Sequence, residues 1–114
     1  MRNIDRGLIL LFPKQPFLDW VRSTALFGPQ VDLQQLWKNP TGILVKEFFK
    51  NSDLPKLLKR RHRVLFENEL RLWHEDESHW PPKRDFKAFC QWFEVRHIGM
   101  IYDMEAQDIE YLDF

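Results

Sequence analysis

Residues 53–95 read DLPKLLKRRHRVLFENELRLWHEDESHWPPKRDFKAFCQWFEV. This stretch is read as one long helix, a Trp-Pro-Pro corner and a second helix folded back. The first helix spans 53–73. Ser52 or Asp53 caps it, and Pro55 sits in its first turn, where a missing N–H is tolerated. At about 100° per residue, Leu54, Leu57, Leu58, Val64, Leu65 and Leu72 fall within one broad apolar arc, which Phe66 and Trp73 extend. Lys56, Arg60, Arg63, Glu67, Arg71 and His74 form the opposite, water-facing arc. Arg61, His62 and Glu69 intrude on the apolar side. Buried charge is costly unless paired, so His62 and Glu69, two turns apart, are expected to form a buried polar pair. Beyond the corner, Asp85 caps a helix whose core face is Phe86, Phe89, Cys90 and Phe93, with Trp92 beside it.

The chain before this stretch supplies two strands. Residues 7–12, GLILLF, are apolar on both parities, which predicts a central strand covered on both faces. Pro13 ends it, and Pro16 opens a helix carrying Phe17, Trp20, Val21, Thr24 and Ala25 on one face. Gly28-Pro29 closes that helix. Asp32 and Gln35 have the spacing of a capping box for a short helix with Leu33, Leu36 and Trp37. Asn39-Pro40-Thr41-Gly42 then breaks the chain, and 43–49 is the second strand. The third strand is placed at 96–104. The expected fold is α+β, a three-stranded mixed sheet packed with about four helices in the order β-α-α-β-α-α-β. Residues 1–104 form the domain and 105–114 an acidic C-terminal tail.

Composition narrows the function classes. The 114 residues are 44% hydrophobic and 30% charged, the balance of a globular chain rather than a disordered one. A single cysteine, Cys90, gives no internal disulfide and suits a reducing compartment. The apolar run after Met1 is too short for a secretory signal, and no stretch approaches the roughly 20 apolar residues of a membrane helix. A cytoplasmic protein without membrane contact is expected. Zero net charge conceals a polarity: residues 1–63 hold twelve Lys/Arg and five Asp/Glu, and residues 64–114 hold the reverse. Folding either cancels these halves against each other or leaves a basic and an acidic face.

Three segments carry a resemblance: PKQPFLDW (13–20), ELRLWHEDESHWPPKRDFKAFCQWF (69–93) and IYDM (101–104). They resemble a group of small uncharacterised bacterial proteins with a PKQPFLDW-like start, a W-x-x-D-x-x-x-W-P-x-x-R centre and an acidic end. Here that centre is Trp73, Asp76, Trp80, Pro81 and Arg84. The resemblance implies a bacterial cytosolic origin and an α+β layout. It carries over no activity and no functional residue, and the basic run KRRHR (59–63) has no counterpart in the pattern.

Chemistry-bearing motifs are few. No H-E-x-x-H is present, and His74 and His79 lie five apart across a helix end, so no metal is assigned. No G-x-S-x-G or phosphate loop occurs, and Cys90 on an apolar face would be inert, so no catalytic residue and no cofactor are assigned. An enzyme would need an unrecognised carboxylate/histidine site, with His62 and Glu69, or Asp19 and Asp103 brought together, as its material. Nucleic-acid binding has its material in the basic helical segment, against a zero net charge and an acidic tail. The favoured expectation is a non-enzymatic protein-interaction or regulatory module, self-association included. Its surface would combine Lys59, Arg60 and Arg63, the corner residue Trp80, and Tyr111 and Phe114 of the tail.

Overall fold

The computed structural model describes residues 1–24, 30–48 and 50–113. Two short strands bracket the fold: β1 (Arg2–Asn3) at its start and, at its end, β5 (Tyr102–Asp103), which pairs with β1. Between them run β2 (Arg6–Pro13), α1 (Gln15–Thr24), α2 (Leu33–Trp37), β3 (Thr41–Lys46), α3 (Asp53–Trp73), a 3₁₀ turn (Glu77–His79), α4 (Phe86–Trp92) and β4 (Phe93–Ile98). The expected closure of α1 by Gly28-Pro29, with Ala25 on its face, lies outside the described residues, as does Phe49. The second strand, expected at 43–49, instead begins two residues earlier and ends at Lys46, with Glu47 and Phe48 outside regular structure.

The α+β class and four helices are present among the described residues, but the sheet is not mixed. β2 lies between β3 and β4 and is antiparallel to both. A single crossover helix would have returned the chain parallel. Two helices, α1 and α2, separate β2 from β3, and the pair brings the chain back antiparallel. The last strand also starts earlier than expected. α4 passes into β4 at Phe93 with no loop between them, and residues 99–101 separate β4 from the short β5.

Alternation along β2 builds two different faces. Ile9 and Leu11 are fully buried, in register with Ile43 and Thr41 on β3 and with His97 and Val95 on β4. Against this face pack Phe17, Trp20 and Val21 of α1, Leu65, Phe66 and Leu70 of α3, and Ala88 and Phe89 of α4. The other face carries Leu8 in register with both Leu44 and Ile98, and Leu10 in register with Gly42 and Arg96. Helical cover on this face is seen at Phe12, where the Trp37 ring stands 5.0 Å away and the Arg96 guanidinium lies 4.5 Å above. Leu44 and Ile98 remain 48% and 41% exposed. The expectation of cover on both faces is therefore met at one end of β2 and not at the other.

The long helix has the expected bounds and a differently turned stripe. Leu65, Phe66, Glu69 and Leu70 are its buried residues, whereas Val64 and Leu72 face water. An apolar arc this broad leaves its phase open. The aromatic cluster of α4 and β4 settles it, drawing in Phe66, with centroid distances of 5.2 Å to Trp92 and 5.4 Å to Phe93. Two of the expected caps form: Asp32 and Gln35 close a reciprocal capping box on α2, and the Asp85 carboxylate accepts from the Ala88 N–H. Ser52, the N-cap of α3, makes no side-chain capping hydrogen bond. Cys90 is exposed, not buried. Phe93, which placed Cys90 on the core side, belongs to β4, so the helical period stops short of it.

Candidate functional site

A cleft of about 570 Å³ opens where the end of β2, α2, the start of β3 and the last turn of α3 meet. Leu11, Pro13, Phe17 and Leu36 form its apolar side, Leu72 and Trp73 border it from α3, and Asn39 and Thr41 contribute polar groups. The backbone sets these positions. Trp37 donates its indole N–H to the Pro13 carbonyl at 2.6 Å, which ties α2 to the end of β2. Directly after α2, Asn39-Pro40 turns the chain into β3 and places Thr41 at the cleft.

Glu69 is the one ionisable group among the described residues that line the cleft. It is only 5% exposed, and the Thr41 hydroxyl donates to its Oε2 at 2.9 Å. Its other oxygen, Oε1, accepts no hydrogen bond from the described residues and is not sealed from the cleft. Burial in this largely apolar setting raises the carboxyl above its ordinary value of 4.5, and the Thr41 hydrogen bond opposes that rise in part. A buried, perturbed carboxyl in a concave site is the usual mark of a binding or reactive position.

This shift has a consequence for stability. With its folded pKa raised, Glu69 holds its proton more tightly when folded than when unfolded. The associated stability is fully present below the unfolded value and is lost as pH rises through the folded one. Glu69→Gln keeps the shape and an acceptor for Thr41 but removes the titration. The variant is expected to be more stable than the parent at pH 8 by about 1 kcal/mol, with the advantage shrinking toward pH 4. Urea unfolding of both proteins across that range measures it; parallel pH curves would show that Glu69 does not titrate differently on folding.

The residues singled out in the sequence are dispersed. His62 is half-buried, donates from Nδ1 to the Lys59 carbonyl at 2.8 Å and meets the Phe86 ring edge-on, so it is not the partner of Glu69. The polar group that satisfies Glu69 comes instead from Thr41, 28 residues earlier, in a segment whose residue types signal only a turn. Arg61 points to water rather than the core, so Lys59, Arg60, Arg61 and Arg63 are all exposed, with Arg63 paired to Glu67 at 2.9 Å. Trp80 is a core residue at 5% exposure and is not available as a surface anchor. Tyr111 is 92% exposed, and Phe114 lies outside the described residues. Asp19 accepts from Gln15, and Asp103 pairs with Arg2, so these carboxylates serve separate contacts. His74 and His79 stack at 4.3 Å around the turn that Asp76 caps through the Ser78 N–H and hydroxyl. Those two bonds lower the Asp76 carboxyl below its ordinary range. No group of three or more potential metal ligands occurs among the described residues.

No protein-family model, curated protein or solved structure matches the chain. Among the described residues, no helix is long and apolar enough to cross a membrane.

Proposed function

We propose that the protein is a non-enzymatic protein-interaction module that associates with a second copy of itself, the acidic segment 105–114 of one copy docking on the outer sheet face of the other. The observation that carries this reading is the apolar row Leu8, Leu44 and Ile98, held in register across three strands with two of its members well exposed. An antiparallel sheet with one solvated face ordinarily turns polar side chains outward there. Arg6, Lys46 and Arg96 share this face with Glu94; Arg6 pairs with Asp5 at 2.8 Å and Arg96 with Glu94 at 2.7 Å. The segment that would cover it has the complementary character. Ile109, Tyr111 and Leu112 alternate with Asp108, Glu110 and Asp113, and all of them are exposed and outside regular structure. Apolar contact would supply affinity, and the opposite charges would fix orientation and speed encounter.

Binding is favoured over catalysis by the isolation of Glu69, since acid–base chemistry ordinarily uses two positioned groups. The resemblance of the 13–20, 69–93 and 101–104 segments to small bacterial proteins supports a bacterial, cytoplasmic setting. Sedimentation equilibrium of the full chain is expected to show a dimer at about 0.1 mM, weakened at high salt. Deleting residues 105–114 and, separately, Leu44→Glu should each weaken association by at least about tenfold. A full chain that stays monomeric, or a truncated chain that dimerises like the parent, overturns the proposal. The exposed basic segment of α3 defines the competing outcome, binding of a DNA duplex at low salt that is lost in a Lys59/Arg60/Arg63 triple Ala variant.

A further inference from the structure

We infer that the cleft over Glu69 is a binding site for a primary ammonium group carried on a short alkyl stem. The geometry supplies both halves of such a ligand. Glu69 lines the cleft while only 5% exposed, with Oε2 held by Thr41 and Oε1 accepting no hydrogen bond from the described residues. An ammonium has donors only and is a compact point charge, so one of its N–H groups fits that vacant acceptor. Leu11, Phe17, Leu36 and Trp73, which line the same cleft, are apolar and match a run of methylenes.

Charge selects the sign of the ligand. No Lys, Arg or His lines the cleft among the described residues, so no cationic side chain there would pair with an anion. Among the described residues the Glu69 carboxylate has no cation paired with it, and a buried carboxylate gains most from a partner that brings one. Holding Thr41 in place does not by itself require a carboxylate, because a Gln side chain would accept the same hydroxyl. The acid differs from the amide in its capacity for charge, and that capacity is directed at the open side of the cleft.

Two sources carry this chemistry, a free alkylamine and the lysine side chain of a peptide. Calorimetric titration of the full chain would use n-pentylammonium, its neutral isostere 1-pentanol, the anion pentanoate, and N-acetyl-lysine methylamide. The ammonium ligands are expected to bind at least about tenfold more tightly than pentanol, and pentanoate not at all. The tighter of the two ammonium probes identifies the source. Glu69→Gln should lose about tenfold in ammonium affinity while leaving pentanol unchanged, with its fold confirmed by circular dichroism. Asn39→Asp, an exposed substitution at the rim, should raise ammonium affinity several-fold, which tests the charge argument without touching the buried group. Equal binding of pentanol and pentylammonium, or preference for pentanoate, overturns the inference. So does a Glu69→Gln variant that binds ammonium like the parent.

Discussion

Phe66→Ala is expected to lower stability by about 3–5 kcal/mol. Phe66 is fully buried and touches three rings: Trp92 at 5.2 Å, Phe93 at 5.4 Å nearly edge-on, and Phe89 at 6.2 Å. Those partners come from α4 and from the first residue of β4, so the one side chain joins the long helix to both. A cavity there is lined by stiff aromatic rings set by two different elements, which limits how far it can collapse. The cost therefore includes the unfilled volume as well as the lost transfer energy. Set against a total of about 5–15 kcal/mol for a domain of this size, the loss is a large fraction of the whole. Chemical denaturation of the variant beside Phe66→Leu measures it. The Leu variant, which keeps much of the volume, should lose less than half as much. A loss below about 1 kcal/mol for the Ala variant would mean that Phe66 does not occupy the centre of this cluster.

How much of this was legible in the sequence depends on whether the signal was local. The bounds of α3, the capping pair Asp32 and Gln35, and the Asp85 cap are written in neighbouring residues, and all appear in the structure. The stripe that α3 buries was not, because its apolar arc is broad enough to pack in more than one rotation. Only the position of Phe89, Trp92 and Phe93 chooses among them. Leu70, fully buried, was missed for that reason. Cys90 was misplaced because no Gly or Pro marks the switch from helix to strand at Phe93. Strands β1 and β5 hold two residues each, too few to show a period. The cleft was half legible. Glu69 stood out as a charge on an apolar arc, and it is indeed buried. Its partner Thr41 sits in a turn-forming segment, and nothing in the spacing of the two reveals that α3 will lie across the start of β3.

The Trp-Pro-Pro corner leads to the second large effect, and it shifts the role of Trp80 from surface to core. Trp80→Ala is expected to lower stability by about 3–5 kcal/mol. The indole is 5% exposed, donates its N–H to the His74 carbonyl at 2.8 Å, and has the Arg71 and Arg84 guanidinium groups 5.2 and 5.7 Å from its ring. His74 is the C-cap of α3, so this hydrogen bond fastens the chain after the helix back onto the helix end. A second indole repeats the device from the other side: Trp20 of α1 donates to the His79 carbonyl at 2.9 Å. Residues 74–85 contain a single 3₁₀ turn and no strand, so side-chain anchors position them. Trp80→Phe separates the two contributions. It retains most of the apolar volume and gives up the bond to His74, for a loss nearer 1–2 kcal/mol. Hydrogen exchange supplies the local readout: in Trp80→Ala, the last turn of α3 and the 77–79 turn should exchange faster relative to the α4 amides. Should both substitutions lower stability equally, the hydrogen bond rather than packing would dominate. If neither lowers it by more than about 1 kcal/mol, Trp80 is not the anchor of the corner. The charges around the ring make a burial-driven loss the stronger expectation. Arg84 already reaches Glu67 at 3.5 Å and the Pro81 carbonyl at 2.8 Å, so it keeps partners when the indole is gone. What it cannot replace is the apolar surface that Trp80 contributes to the buried core.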